Sequence, residues 1–151
     1  MHYQFEEDSS LPKEAIEVLV RSGKYDQAVQ DVLDYLARFN QEKTEVLPVK
    51  TAMRTELLRV SDLILVDVDG TSLILETTTG RLITTDRLYK FRERLANPDF
   101  VQISKHAVLN INHLKALESS FSGNMLALLT NDIKTDVSRR YLSDLEKALG
   151  L

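Results

Sequence analysis

The chain has 151 residues, 43% of them hydrophobic, enough for one buried core and too few for two ordinary domains plus linkers. It contains no Cys, which excludes disulfides, thiolate metal sites and Cys nucleophiles, and no apolar run approaches the roughly 18 residues of a membrane span. The net charge of −4 is unevenly placed: residues 1–45 carry 5 Lys and Arg against 10 Asp and Glu, or −5, whereas residues 46–151 carry 14 against 13, or +1.

Met1-His2-Tyr3-Gln4-Phe5 lacks the basic and apolar regions of a secretory signal, so a cytoplasmic location is expected. Two short strands are expected at 3–7 and 15–21, with Asp8-Ser9-Ser10-Leu11-Pro12 as turn chemistry between them. A helix follows. Tyr25, Ala28, Val29, Val32, Leu33 and Leu36 recur at helical spacing opposite Asp26, Gln30, Asp31, Asp34 and Arg38. Such a unit cannot bury its apolar face alone, so it packs on the following domain or on a second copy of itself, and a homodimer is the working expectation. Asn40-Gln41-Glu42-Lys43 reads as linker, separating an N-terminal α+β segment, 1–45, from a domain over 46–151.

From Val46 the pattern is β-rich, with strands expected at 46–50, 56–60, 63–68, 73–77 and 81–84 and turns at Asp69-Gly70 and Thr79-Gly80. Asp-Gly between alternating apolar runs is a strong hairpin signal, and strands joined this way are antiparallel. A helix is expected at 86–95, with Thr85 or Asp86 as N-cap and Leu88, Phe91 and Leu95 as its buried stripe. Asn97-Pro98-Asp99 ends it. Further strands are expected at 113–118, 125–129 and up to Val137, around turns at Ser120-Phe121-Ser122-Gly123-Asn124 and Asn131-Asp132. A last helix follows, with Tyr141, Leu145 and Leu149 on one face and Gly150 as its cap.

Residues 100–111 are two strand-like apolar runs interrupted by Ser104-Lys105-His106, a triplet without Gly or Pro that reads as a kink or bulge aiming its side chains outward. A hydroxyl, an ammonium and an imidazole side by side suit phosphate oxygens and the acceptor edges of purines; the plainer reading is an exposed corner between strands. A second donor-rich place is Val137-Ser138-Arg139-Arg140-Tyr141, where a strand hands over to the terminal helix. Ser138 is a plausible N-cap, and Arg139 and Arg140 point to different sides of the first turn, so that one can clamp phosphate while the other reaches a base. The alternative is a surface Arg pair covering the helix start.

Phe100, Ile103, Ser104-Lys105-His106, Val108-Leu109 and Asn110 resemble the central signature of the LytTR-type DNA-binding domain of bacterial transcription regulators, and the similarity extends in order over about 46–151. The resemblance implies a mostly β fold, an elongated antiparallel domain of several small sheets with a C-terminal helix. It also implies that loops enter successive major grooves of double-stranded DNA and that two copies bind a pair of repeats. The Ser138-Arg139-Arg140 element resembles the Ser-Arg-aromatic element of that family, in which the residue at the place of Arg140 reads a base. The same resemblance puts the hairpin after Asp69 near DNA, adding Thr71 and Ser72 as contacts. It further implies an accessory membrane protein as controlling partner. Gln102 stands where a basic residue is usual, His106 where a small hydroxyl is usual, and the hairpin after Asp69 lacks a common aromatic. No receiver domain fits before Val46, so phospho-relay control of this chain is not expected.

Two other classes compete. Asp67-Val68-Asp69-Gly70-Thr71 also matches the opening of haloacid-dehalogenase-type phosphatases, with Asp67 as nucleophile, Asp69 as general acid and base, and Mg²⁺ screening the phosphate. Those enzymes need a helix after the motif, and here Ser72-Leu73-Ile74-Leu75-Glu76 reads as another strand. The other class is a non-DNA protein-interaction module working through the acidic N-terminal segment. No catalytic residue, metal, cofactor or small-molecule substrate is expected; His2, His106 and His113 have no ligand spacing.

Overall fold

A computed structural model describes residues 1–39 and 45–151, and the chain divides into two compact units, Met1–Asn40 and Gln41–Leu151. The expected linker, Asn40 to Lys43, lies outside the described residues.

In the first unit the helix forms and the two strands do not. Helix α1 runs over Gln27–Phe39. Asp26 caps it, its carboxylate accepting from Val29 N–H (3.3 Å), and Gln27 and Gln30 reach Asp31 and Asp34 one turn on (2.9 and 2.8 Å). Residues 3–7 and 15–21 have no strand pairing and stay almost wholly exposed, Tyr3 and Phe5 included. An isolated pair of short strands with no covered face gains too little from burial to order itself. None of the residues of α1 is buried.

The second unit is mostly β, as expected, with antiparallel pairing throughout its described strands. β1 (Val46–Lys50) and β2 (Thr55–Arg59) form a hairpin. A five-stranded sheet has the order β5-β4-β3-β7-β6, from β3 (Leu63–Asp69), β4 (Ser72–Thr77), β5 (Gly80–Thr84), β6 (Phe100–Gln102) and β7 (Ala107–Asn110). A three-stranded sheet has the order β10-β9-β8, from β8 (Leu114–Ser119), β9 (Met125–Leu129) and β10 (Lys134–Val137). Helix α2 spans Leu88–Leu95 and α3 spans Arg139–Leu149. The start of α2 corrects the expectation: the N-cap position is Arg87, not Thr85 or Asp86. The Asp86 carboxylate is already committed, accepting from Arg87 N–H (2.9 Å) and from the Arg94 guanidinium (3.0 Å).

The central sheet separates two cores. On one face Leu47, Val49 and Leu58 of the β1–β2 hairpin and Phe91 and Leu95 of α2 pack on Leu63, Val66, Leu73, Leu75 and Val108. On the other, Ala127, Leu129, Val137 and Leu145 pack on Ile64, Leu65, Ile103 and Leu109. Strict alternation would put Leu63 and Leu65 on one face, but a register shift between them turns Leu65 to the second core. β3 is therefore buried on both faces, which fixes the strand whose end carries the hairpin tip. Asn110, 2% exposed, donates to the Leu63 carbonyl (2.9 Å) and accepts from Asn112 N–H (3.0 Å), fastening the end of β7 to the start of β3. His113 is likewise structural, its ring nitrogens within hydrogen-bond distance of the Thr130 hydroxyl (3.0 Å) and the Ser61 carbonyl (2.7 Å).

Candidate nucleic-acid interface

The interrupting triplet closes a tight reversal between the antiparallel strands β6 and β7, the corner between strands that was the plainer reading, in place of the expected kink or bulge. Ile103 N–H donates to the Ala107 carbonyl (3.0 Å) and His106 N–H to the Ser104 hydroxyl (3.2 Å), so the turn is held from inside. Ile103 is fully buried beneath it, while Lys105 and His106 are exposed and Ser104 is half-buried.

Two backbone hydrogen bonds tie this turn to the other candidate segments. Val68 N–H donates to the His106 carbonyl (2.9 Å), binding it to the β3–β4 hairpin. There Asp69 pairs with Ser72 across a turn whose Gly70 has φ +60°, with Thr71 exposed at the tip. Ser138 N–H donates to the Ile103 carbonyl (2.9 Å), binding the turn to the start of α3. Residues 71–72, 104–106 and 138–140 thus share one frame although they lie far apart in sequence.

At the α3 start the two arginines are employed differently. Arg139 is folded back, its Nε donating to the Gly123 carbonyl (2.9 Å) in the β8–β9 turn. Gly123 has φ +80°, which favours glycine, and a Cβ there would stand 1.9 Å from the Arg139 guanidinium, so a larger residue would make that side chain shift from this position. Arg140 is exposed and makes no ion pair or hydrogen bond among the described residues. Ser138 occupies the N-cap position with an extended backbone, and its hydroxyl makes no capping bond.

An open cleft of about 680 Å³ adjoins the β3–β4 hairpin and the β6–β7 turn. Thr71, Ser72, Lys105 and His106 line it, as the sequence singles out, together with Arg87, Tyr89, Arg92 and Gln102, which sequence reasoning did not assign to the site. Arg92 donates to Gln102 Oε1 (2.8 Å) and Gln102 Nε2 to the Ser104 carbonyl (2.9 Å). A helix cation therefore stands beside the turn at the strand position where Gln102 lacks one. The signal available in the sequence was the density of Arg87, Lys90, Arg92 and Arg94 against Glu93 alone. Beneath the tips, burial pushes the Asp67 carboxyl above its ordinary value, a rise opposed by the Val68 N–H and by nearby His106.

The profile of the LytTr DNA-binding domain matches residues 53–150. This chain belongs to the LytTR family. The chain is 28% identical over 109 residues to the sensory transduction protein LytR of Staphylococcus epidermidis, covering 72% of this chain and 43% of that protein. It is 27% identical over 120 residues to the transcriptional regulatory protein LytR of Staphylococcus aureus strain bovine RF122, covering 80% and 47%. The chain thus spans a little under half the length of those relatives. A solved LytTr DNA-binding domain from Bacillus cereus superposes with a TM-score of 0.64 at 20% identity, over 72% of this chain and 99% of that one, a match of fold. In the LytTR setting Asp67-Val68-Asp69-Gly70-Thr71 is the end of β3 and its hairpin, running straight into β4 with no intervening helix, so the phosphatase reading lacks its required context.

Proposed function

We propose that this protein is a sequence-specific DNA-binding regulator of transcription, acting in the cytoplasm, whose three tips read repeated sites in the major groove of double-stranded DNA. The observation that carries the reading is the pair of backbone hydrogen bonds, Val68 to His106 and Ser138 to Ile103, that join the tips into one frame. A rigid frame brings several donors to a duplex without ordering them at the moment of binding. Arg140, a planar fork on a helix start, is the base reader. Lys105, a point charge on a flexible stem, holds phosphate, with Ser104, His106, Thr71 and Ser72 as supporting contacts and Ser138 and Arg139 shaping the Arg140 tip. Two copies meet through α1, whose apolar side leaves Leu33 38%, Tyr35 64% and Phe39 76% exposed. An accessory membrane protein is the controlling partner that the resemblance implies; among the described residues no helix is long and apolar enough to cross a membrane.

Selection of bound duplexes from a random pool supplies the site, and titrations on matched and single-mismatch duplexes test the roles. Arg140→Ala is expected to cost about 1–3 kcal/mol and relax preference at one base pair, whereas Lys105→Ala weakens all sequences evenly and lowers the salt slope by about one. Equal, sequence-independent losses for both remove the base-reading role; unchanged binding in both removes DNA contact from these tips.

A further inference from the structure

The cleft beside the tips contains more positive charge than base reading requires. Arg87 and Arg92 approach it from α2, and Lys105 from the β6–β7 turn, with the hydroxyls of Thr71 and Ser72 on the hairpin side. Arg87 makes no side-chain hydrogen bond or ion pair among the described residues, and it leaves the first turn of α2 without a side-chain cap. Arg92 is held in place by Gln102 at 2.8 Å, a bond to a neutral amide that orients the guanidinium without neutralising it. Asp86, the carboxylate lining this cleft, is neutralised by Arg94 at 3.0 Å. Unneutralised cations and hydroxyl donors converging on an open concavity are suited to an oxyanion with several acceptor oxygens.

We propose that this cleft seats a backbone phosphodiester of the bound duplex, with Arg87 and Arg92 as its clamp, fixing the register in which the Lys105 and Arg140 tips enter the groove. The proposal rests on the DNA-binding reading above. Arg92 is oriented through Gln102 and Ser104 by the turn that carries Lys105, so clamp and tip move as one piece. A phosphate held there carries no sequence information but sets which base pair each tip meets.

The test uses the full chain and a duplex recovered by selection, titrated at several salt concentrations. Each lost phosphate contact removes a factor of about [salt] to the power −0.9, so Arg87→Ala and Arg92→Ala should each bind about fivefold more weakly at 0.15 M salt. The loss should be the same on matched and mismatched duplexes, with the log–log slope reduced by about 0.9. Lys147→Ala, in the last turn of α3, should leave the slope unchanged. Replacing single linkages by neutral methylphosphonate should reveal one position at which wild type and Arg92→Ala bind alike. Retention of the full slope by both arginine variants, an equal drop for Lys147→Ala, or the lack of any such linkage overturns the clamp while leaving DNA binding intact. Failure of the wild type to bind any duplex at low salt instead removes the DNA-binding reading and the clamp with it. Inorganic phosphate binding that Arg92→Ala abolishes, without any change in the duplex slope, makes the cleft a small-anion site and also overturns the proposal.

Discussion

Ser138→Pro isolates the bond that joins α3 to the 103–106 turn. Ser138 has φ −66° and ψ 142°, values a pyrrolidine ring accepts, and the preceding Val137 is in a strand, as a residue before proline prefers. The substitution therefore keeps the dihedral angles of residue 138 while removing one N–H, and with it the 2.9 Å bond to Ile103. Ile103 is 0% exposed, so its carbonyl loses its donor in a place where water does not replace it. An orphaned buried acceptor costs about 1–3 kcal/mol, and the ring carbon standing where the hydrogen was pushes the two segments apart. A domain with an ordinary margin of about 5–15 kcal/mol stays folded under that loss, so its DNA binding is measurable. With the Lys105 and Arg140 tips no longer in one frame, their mutual ordering has to be supplied on binding, at about 1–2 kcal/mol or about 5- to 30-fold in affinity. Ser138→Ala is the control. The hydroxyl makes no capping bond, so its removal should cost under about 0.5 kcal/mol, not the roughly 1 kcal/mol of a working N-cap. Denaturant midpoints read the first effect and fluorescence anisotropy on the selected duplex reads the second. An unchanged midpoint for Ser138→Pro refutes the bond. A destabilised Ser138→Pro that binds DNA as wild type refutes the shared frame.

Asn110→Leu takes the side-chain donor from the buried Leu63 carbonyl and should lose about 1–3 kcal/mol in a melting experiment, the N–H of exposed Asn112 turning to water; a loss within about 0.5 kcal/mol would falsify the staple. Asp67→Asn should be more stable than wild type at neutral pH. Burial raises the Asp67 carboxyl, so its ionised form penalises the fold above that raised value, and the advantage of Asn should shrink as pH falls and vanish below the ordinary value of 3.8. An advantage that grows toward acid contradicts the burial. Val32→Glu, placing charge on the apolar side of α1, should turn a dimer at tens of micromolar, on the order of where a standard interface is populated, into a monomer; sedimentation showing wild type already monomeric at that concentration removes the α1 interface.

Most of the β framework could be read from the chain because its signals are local. Short apolar runs between turn signals placed β1 and β9 to the residue, and Asp69-Gly70 marked the hairpin that positions Thr71. The expected strands around Tyr3 and Ile16 had comparable apolar content and failed, since a short apolar run reports a strand only when something covers its apolar side. The start of α2 was misplaced because Asp86 looked like a cap, while its partner Arg94 lies a full helix away. Long-range pairing also hid the rest of the site. That Arg139 is engaged by Gly123, and that Arg92 stands beside Gln102, depends on how separate elements meet, which no local spacing encodes.

Both links that hold the tips together run from main chain to main chain, Val68 to His106 and Ser138 to Ile103. The fold therefore makes few demands on which side chains stand at 71, 105, 106 and 140, and those positions can be exchanged at little thermodynamic cost. In the proposed reading, operator preference can then drift, or be redirected in a library varied at those positions alone, while the scaffold beneath stays the same. A lineage of such regulators can acquire new target sites by point substitution without first acquiring new stability.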